Sequence, residues 1–278
     1  MACSNHSANK SLTMTDCCDT TEMELTFLGT GTSTGIPQIG CGCKVCRSTD
    51  VRDKRLRCSA MVKIGNRNLL IDCGPDFRMQ MLRQGSPSLD TLLVTHSHYD
   101  HLGGLDDLRP YCHRENGFPI YCREDIARDI HVRMPYCFGE ERYPGAPVIN
   151  INIIDREPFM IEDIEIEPLE VFHCDNYVIN GFRIGPLSYI TDCKTMPEET
   201  IDKIRGTEVL VLNALRFREH RSHLSLDEAL RLVERIKPHH TYLTHFSHDI
   251  GLHQDLQSLL PERITAAFDG LSVKIPLR

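Results

Sequence analysis

The segment Thr95-His96-Ser97-His98-Tyr99-Asp100-His101 packs three imidazoles and one carboxylate into six positions, directly after the apolar stretch Thr91-Leu92-Leu93-Val94. Neutral imidazole suits zinc and its first-row neighbours, and carboxylate admits manganese as well. Four such groups cannot all face one ion from an extended segment. A tight loop can split them between two ions, which is the geometry of a two-metal hydrolase. Further ligand candidates follow downstream. His173 comes after the alternating run Ile164-Glu165-Ile166-Glu167-Pro168-Leu169-Glu170-Val171-Phe172, Asp192 after Leu187-Ser188-Tyr189-Ile190-Thr191, and His245 after Thr241-Tyr242-Leu243-Thr244.

Each of these residues lies just past a short β-branched or aromatic run that reads as a strand. A lone histidine is more often structural than a ligand, but ligands at successive strand ends can converge on one rim of a sheet. Other elements read in the same way. Glu24 to Leu28 alternates as a first strand, and the glycine-rich turn after it lacks the Gly-Lys-Ser/Thr of a P-loop. Its glycines suit a tight backbone turn beneath the site. Ser59 to Ile64 and Asn68 to Ile71 read as a hairpin around Gly65-Asn66, and Val209 to Leu212 as a buried strand. Helices are expected over Pro75 to Gln84, Leu105 to Arg114, Glu124 to Met134, Glu198 to Ile204 and Leu226 to Ile236. Pro135 to Pro147 reads as a loop near the site entrance, where substrate choice is often tuned.

A second constellation, Cys41-Gly42-Cys43-Lys44-Val45-Cys46, is a C-x-C-x2-C cluster. Three thiolates this close signal zinc, and a closed structural site wants a fourth ligand. Cys58 is near in sequence. His248 is the stronger candidate, because it lies three residues beyond His245 and would join the two sites through Thr244-His245-Phe246-Ser247-His248.

The H-x-H-x-D-H run with its later His, Asp and His resembles the metallo-β-lactamase superfamily over nearly all of 23–278. That resemblance implies an α/β fold, an αββα sandwich with a two-metal site at one edge of its sheets. It implies one ion on His96, His98 and His173, a second on Asp100, His101 and His245, and Asp192 bridging both. Asp72 would brace the metal loop. With Leu28-Gly29-Thr30-Gly31-Thr32-Ser33, Gly35-Ile36-Pro37, Leu70-Ile71-Asp72-Cys73-Gly74 and the cysteine cluster, the chain further resembles PhnP-type cyclic phosphodiesterases, which open phosphoribosyl 1,2-cyclic phosphate. The resemblance gives Cys41, Cys43, Cys46 and His248 a structural zinc. It gives Arg221-Ser222-His223 the place of a catalytic histidine, and it implies a homodimer.

The expected activity is thus hydrolysis of a small phosphodiester by hydroxide generated at two divalent ions, Zn2+ or Mn2+. His223 would protonate the departing sugar oxygen, and Asp100 and Asp192 would serve both ligation and catalysis. Competing readings are a ribonuclease Z-like nuclease, a PqqB-like protein and a non-catalytic metal-binding protein. The complete ligand set argues for a hydrolytic site, and the net charge of −8 argues against nucleic acid. The basic stretch 47–57 reads as a solvated loop rather than a phosphate site. Hydrophobic content of 41% in 278 residues suits a sizeable core, taken here as one domain over 23–278. Residues 1–22 are polar, lack a signal-peptide core and read as a flexible extension, with Met23 a second candidate start. No apolar run reaches membrane-spanning length. The thirteen cysteines need not form disulfides in a chain this long, so a reducing cytoplasm is expected.

Overall fold

The computed structural model describes residues 21–112, 116–138, 142–174 and 176–277. The extension expected at the N-terminus lies outside them up to residue 20. Two seven-stranded sheets face each other. The first holds β1 (Glu22–Gly29), β2 (Ser59–Ile64), β3 (Arg67–Ile71), β4 (Thr91–Leu93), β5 (Phe118–Cys122) and β6 (Ile149–Ile153) in that order, with β14 (Ser272–Pro276) beside β1. The second runs β13 (Ile264–Ala266), β12 (His240–Thr244), β11 (Val209–Asn213), β10 (Leu187–Tyr189), β9 (Tyr177–Ile184), β8 (Ile164–Cys174) and β7 (Phe159–Ile161).

Alternation decides which face each strand turns inward. Leu25 and Phe27 of β1, Leu69 and Ile71 of β3, Phe182 and Ile184 of β9 and Val209 and Val211 of β11 fill the space between the sheets. Each such side chain contributes roughly 1.5–3 kcal/mol relative to exposure, so a one-residue slip that turned them outward would be very costly. The outer face of the first sheet packs on α1 (Phe77–Arg83) and α3 (Glu124–Arg133), and that of the second on α4 (Glu198–Ile204), α5 (Leu226–Ile236) and α6 (His253–Leu259). In α5 a capping box between Ser225 and Glu228 starts the helix, and Leu226, Ala229, Leu232 and Ile236 form its buried stripe. The result is the αββα layering of the metallo-β-lactamase fold.

Topology brings the candidate ligands to one rim. Strands β3 to β6 and β10 to β13 run parallel within their sheets. Both β8 and β10 are antiparallel to β9, so His173, at the end of β8, and Asp192, just past β10, leave on the same side. The sheets are stitched there by backbone bonds from Asn180 N to Thr95 O (3.1 Å), Phe246 N to Thr30 O (2.9 Å) and Thr32 N to Phe246 O (2.9 Å). The last two tie the glycine-rich turn to the His245 segment, and a Cβ on Gly29 would stand 2.0 Å from the Arg57 carbonyl.

Leu105–Tyr111 is helical, of the 3-10 type, with Pro110 supplying no backbone donor near its end; 113–115 lie outside the described residues. One expectation is corrected. The basic stretch 47–57 is not a solvated loop. Arg55 is only 3% exposed, donates to Thr30 Oγ1 and the Ala267 carbonyl, and lies over the Phe246 ring. Arg52 pairs with Asp50 and Arg57 with Asp76. Spacing alone does not reveal the distant partners of Arg55 and Arg57. Among the described residues no helix is long and apolar enough to cross a membrane.

The backbone of Cys73-Gly74 lies directly against the metal loop: Cys73 N donates to the His101 carbonyl, and a Cβ on Gly74 would sit 2.0 Å from the Asp100 carbonyl. Gly74→Ala should therefore lower stability in urea unfolding by roughly 1–3 kcal/mol, the usual cost of overpacking. An unchanged midpoint would show that this contact is soft.

Candidate metal centre

After β4 the chain turns sharply, so that His96 and His98 precede the short helix α2 (Tyr99–Leu102) and Asp100 and His101 lie on it. This divides the H-x-H-x-D-H run as its spacing demands. His96, His98, His173 and Asp192 form one group, and Asp100, His101, Asp192 and His245 a second, each with ligand atoms within 4.8 Å of one another. Asp192 belongs to both. Its Oδ2 lies 3.7 Å from His96 Nε2, while its Oδ1 lies 3.0 Å from His245 Nε2 and 3.5 Å from His101 Nε2. Asp100 Oδ2 completes the second group at 3.2 Å from His101 Nε2 and 3.8 Å from His245 Nε2. Ligands about 2.0–2.2 Å from a tetrahedral ion stand about 3.3–3.6 Å apart, so this spacing suits first-row cations.

A second layer of contacts aims the rings. Asp72 accepts from His101 Nδ1 (2.7 Å), from Thr95 N (2.8 Å) and from the Thr95 hydroxyl. The same hydroxyl accepts from His96 Nδ1 at 2.9 Å. His173 Nδ1 donates to the carbonyls of Asp192 and Ser222, both at 2.8 Å. With Nδ1 occupied on each ring, Nε2 is the atom left to bind. The Nε2 atoms of His96, His101 and His245 are buried without a hydrogen-bond partner in the protein. Buried polar atoms are rarely left so, and cations at these points would satisfy all three.

The charges agree with this. Burial alone would push the Asp192 carboxyl up, but His245 and His101 beside it hold it well below the usual carboxylate range. For His101 burial works downward, yet Asp100, Asp192 and Asp72 hold it well above the usual imidazole range. A bound cation would displace that proton. Burial and the neighbouring His101 keep His96 neutral.

His223 is buried at the same rim, with Nδ1 3.9 Å from Asp192 Oδ2 and its ring stacked on His245 at 4.8 Å. Burial pushes its pKa down to about 3. Sequence reasoning missed two neighbours. Tyr177 sits 5.5 Å from the His98 ring, and the Ser222 carbonyl orients His173. The first is masked by an ordinary hairpin sequence, and the second acts through backbone. In the described parts of the expected entrance loop, Tyr136 donates to Asp106 and the Gly145 carbonyl accepts from Arg109; 139–141 lie outside the described residues.

The cysteine cluster assembles around His248. Its Nδ1 lies 3.3 Å from Cys41 Sγ, 3.4 Å from Cys43 Sγ and 3.6 Å from Cys46 Sγ. With metal bonds of about 2.3 Å to sulfur and about 2.0 Å to nitrogen, a tetrahedral zinc has S···N edges of about 3.5 Å, so the fit is close. Cys58 is not part of it; its thiol is buried against Tyr189 and Thr191.

Comparison with known proteins follows this geometry. A beta-lactamase superfamily domain model matches residues 67–246. A crystal structure of a new diphosphatase from the PhnP family is 36% identical, with a TM-score of 0.86, covering 92% of this chain and 98% of that one. A Porphyromonas gingivalis protein named octanoyltransferase is 40% identical over 91% of this chain, which spans only 52% of that protein's length. Zn2+-bound PqqB from Methylobacterium extorquens, at 18% identity and TM-score 0.73, shares the fold over 90% of this chain and 99% of that one. The chain belongs to the beta-lactamase superfamily and, within it, to the PhnP family.

If the four-residue cluster holds zinc, Cys43→Ser should remove one tightly held zinc per chain. At about 2–4 °C per kcal/mol for a domain of this size, losing a site worth several kcal/mol should lower Tm by on the order of 10 °C. Elemental analysis beside a melting curve checks this. No change in either would make these cysteines ordinary thiols.

Proposed function

We propose that the chain is a metal-dependent phosphodiesterase that opens a small cyclic phosphodiester, phosphoribosyl 1,2-cyclic phosphate or a close analogue. The observation that carries the proposal is the split of Asp192 between two histidine groups, with His223 Nδ1 3.9 Å from the same carboxylate. His96, His98 and His173 would hold one zinc or manganese ion, Asp100, His101 and His245 the second, and Asp192 would join them. Such a pair supplies an acidified water and neutralises charge building on the phosphoryl oxygens.

The chain's own groups do the rest. Asp72 and Thr95 fix the His101 and His96 rings, so the ligand atoms need no reorganisation. His98 stands at the rim, where the site opens to solvent. His223 gives a proton to the departing sugar oxygen, a poor leaving group without one. Its low pKa belongs to the ring before substrate arrives, and an anionic phosphodiester beside Nδ1 favours the protonated form. The free thiols of the described cysteines suit a reducing cytoplasm. Cys41, Cys43, Cys46 and His248 would hold a structural zinc that keeps His245 in place.

The diphosphatase of the same family supports a second reading, cleavage of a diphosphate linkage. There the leaving group is a phosphate, stable without protonation, and His223 matters less. The octanoyltransferase name belongs to a protein about twice this length and does not bear on this site.

A panel of phosphoribosyl 1,2-cyclic phosphate, 2′,3′-cyclic nucleotides, an organic diphosphate, bis-p-nitrophenyl phosphate and precursor tRNA separates these readings. His223→Ala should slow turnover of the cyclic substrates about a hundred- to ten-thousand-fold, and much less for the nitrophenyl ester. Equal losses on both would remove His223 from the acid role. Turnover of the diphosphate alone would favour the second reading, and turnover of tRNA alone a nuclease.

A further inference from the structure

His220 lies outside the ligand set and is not used in the mechanism above. Its Nδ1 accepts from the backbone N–H of Ser222 at 3.3 Å and lies 3.2 Å from the Ser222 hydroxyl. An acceptor Nδ1 carries no proton, so the ring holds its hydrogen on Nε2. The His220 ring is 5.1 Å from that of His223 and only 32° out of parallel with it. His223 is buried while His220 is half-buried, so His220 stands on the solvent side of the pair. Ser222 also orients His173 through its carbonyl, so the same residue fixes a candidate metal ligand and the His220 tautomer. The one donor the ring still offers is Nε2–H.

We propose that His220 is a substrate-binding residue, whose Nε2–H donates to an anionic phosphoryl oxygen of the ester seated beside His223. This rests on the phosphoester hydrolase reading given above. It adds a neutral donor from the protein beside His223. It also explains why a segment carrying two histidines three residues apart folds so that their rings lie 5.1 Å from each other. A purely structural role is the alternative: His220 would only clasp Ser222, and through it His173.

Two substitutions separate these roles. The amide nitrogen of Gln reaches the position of Nε2, whereas the carboxamide of Asn reaches only that of Nδ1 and can still accept from Ser222. For metal-loaded protein, His220→Asn should lower kcat/KM on bis-p-nitrophenyl phosphate, and affinity for inorganic phosphate by calorimetry, about ten- to a hundredfold, while His220→Gln stays within about threefold. Active-site metal content should match wild type in both. The reverse order, equal losses, no loss in either, or loss of active-site metal would each overturn the proposal and assign His220 to the clasp. If wild-type protein turns over no member of the panel, the hydrolase reading fails; the phosphate-binding order of the two variants still decides the role of His220.

Discussion

The site depends on one buried carboxylate. Asp192 is 1% exposed, and an ionised carboxylate so placed is tolerated only when paired and hydrogen-bonded. The Thr191 hydroxyl donates to Oδ1 at 2.7 Å, His245 Nε2 lies beside the same oxygen, and His96 and His223 face Oδ2. Each oxygen is thus directed to a different set of rings. Removing the charge would leave the His96, His98 and His173 group without a carboxylate of its own and the second group with Asp100 alone. Keeping it demands cations, whether protons on the rings or metal ions among them. Asp100 and Asp72 extend the same logic outward, one into the second group and one behind it.

Holding these groups in place strains the backbone. Asp72, Asp192 and His245 all have left-handed φ, at 62°, 55° and 59°. Such a conformation costs a non-glycine residue of order 1–3 kcal/mol and persists where the surroundings over-determine it. The three strained residues follow β3, β10 and β12, and each turns its side chain into the site as its strand ends. Parallel strands deliver these ends to one rim, and the abrupt turns aim them. The cysteine cluster and the Arg55 network reinforce the same rim from behind. Cys41, Cys43 and Cys46 gather on His248, three residues past His245, while Arg55 ties the glycine-rich turn to Ala267 and stacks on Phe246.

Much of this is legible in the sequence because the chemistry is local. H-x-H-x-D-H names four ligands in six residues, and the strand before each later ligand is a short apolar run whose direction follows from simple topology. The bracing role of Asp72 is expected from the family resemblance, and its contacts with His101 and Thr95 agree with it. Illegible features depend on distant partners or on backbone atoms. Arg55 reads as one of several loop cations, and only the folded chain places it under Phe246. Ser222 acts on His173 through a carbonyl that every residue possesses.

The central claim is that Asp192 joins two cation sites that together make a hydrolase. Metal stoichiometry of the purified, metal-loaded chain, compared between wild type and Asp192→Ala with activity measured on the same samples, tests it most directly. Two ions per chain, beyond the one zinc proposed for the cysteine cluster, are expected in the wild type. The variant should lose at least one of them, keep the zinc and the fold, and show almost no phosphodiesterase activity. A variant with unchanged metal content and retained activity would contradict the account.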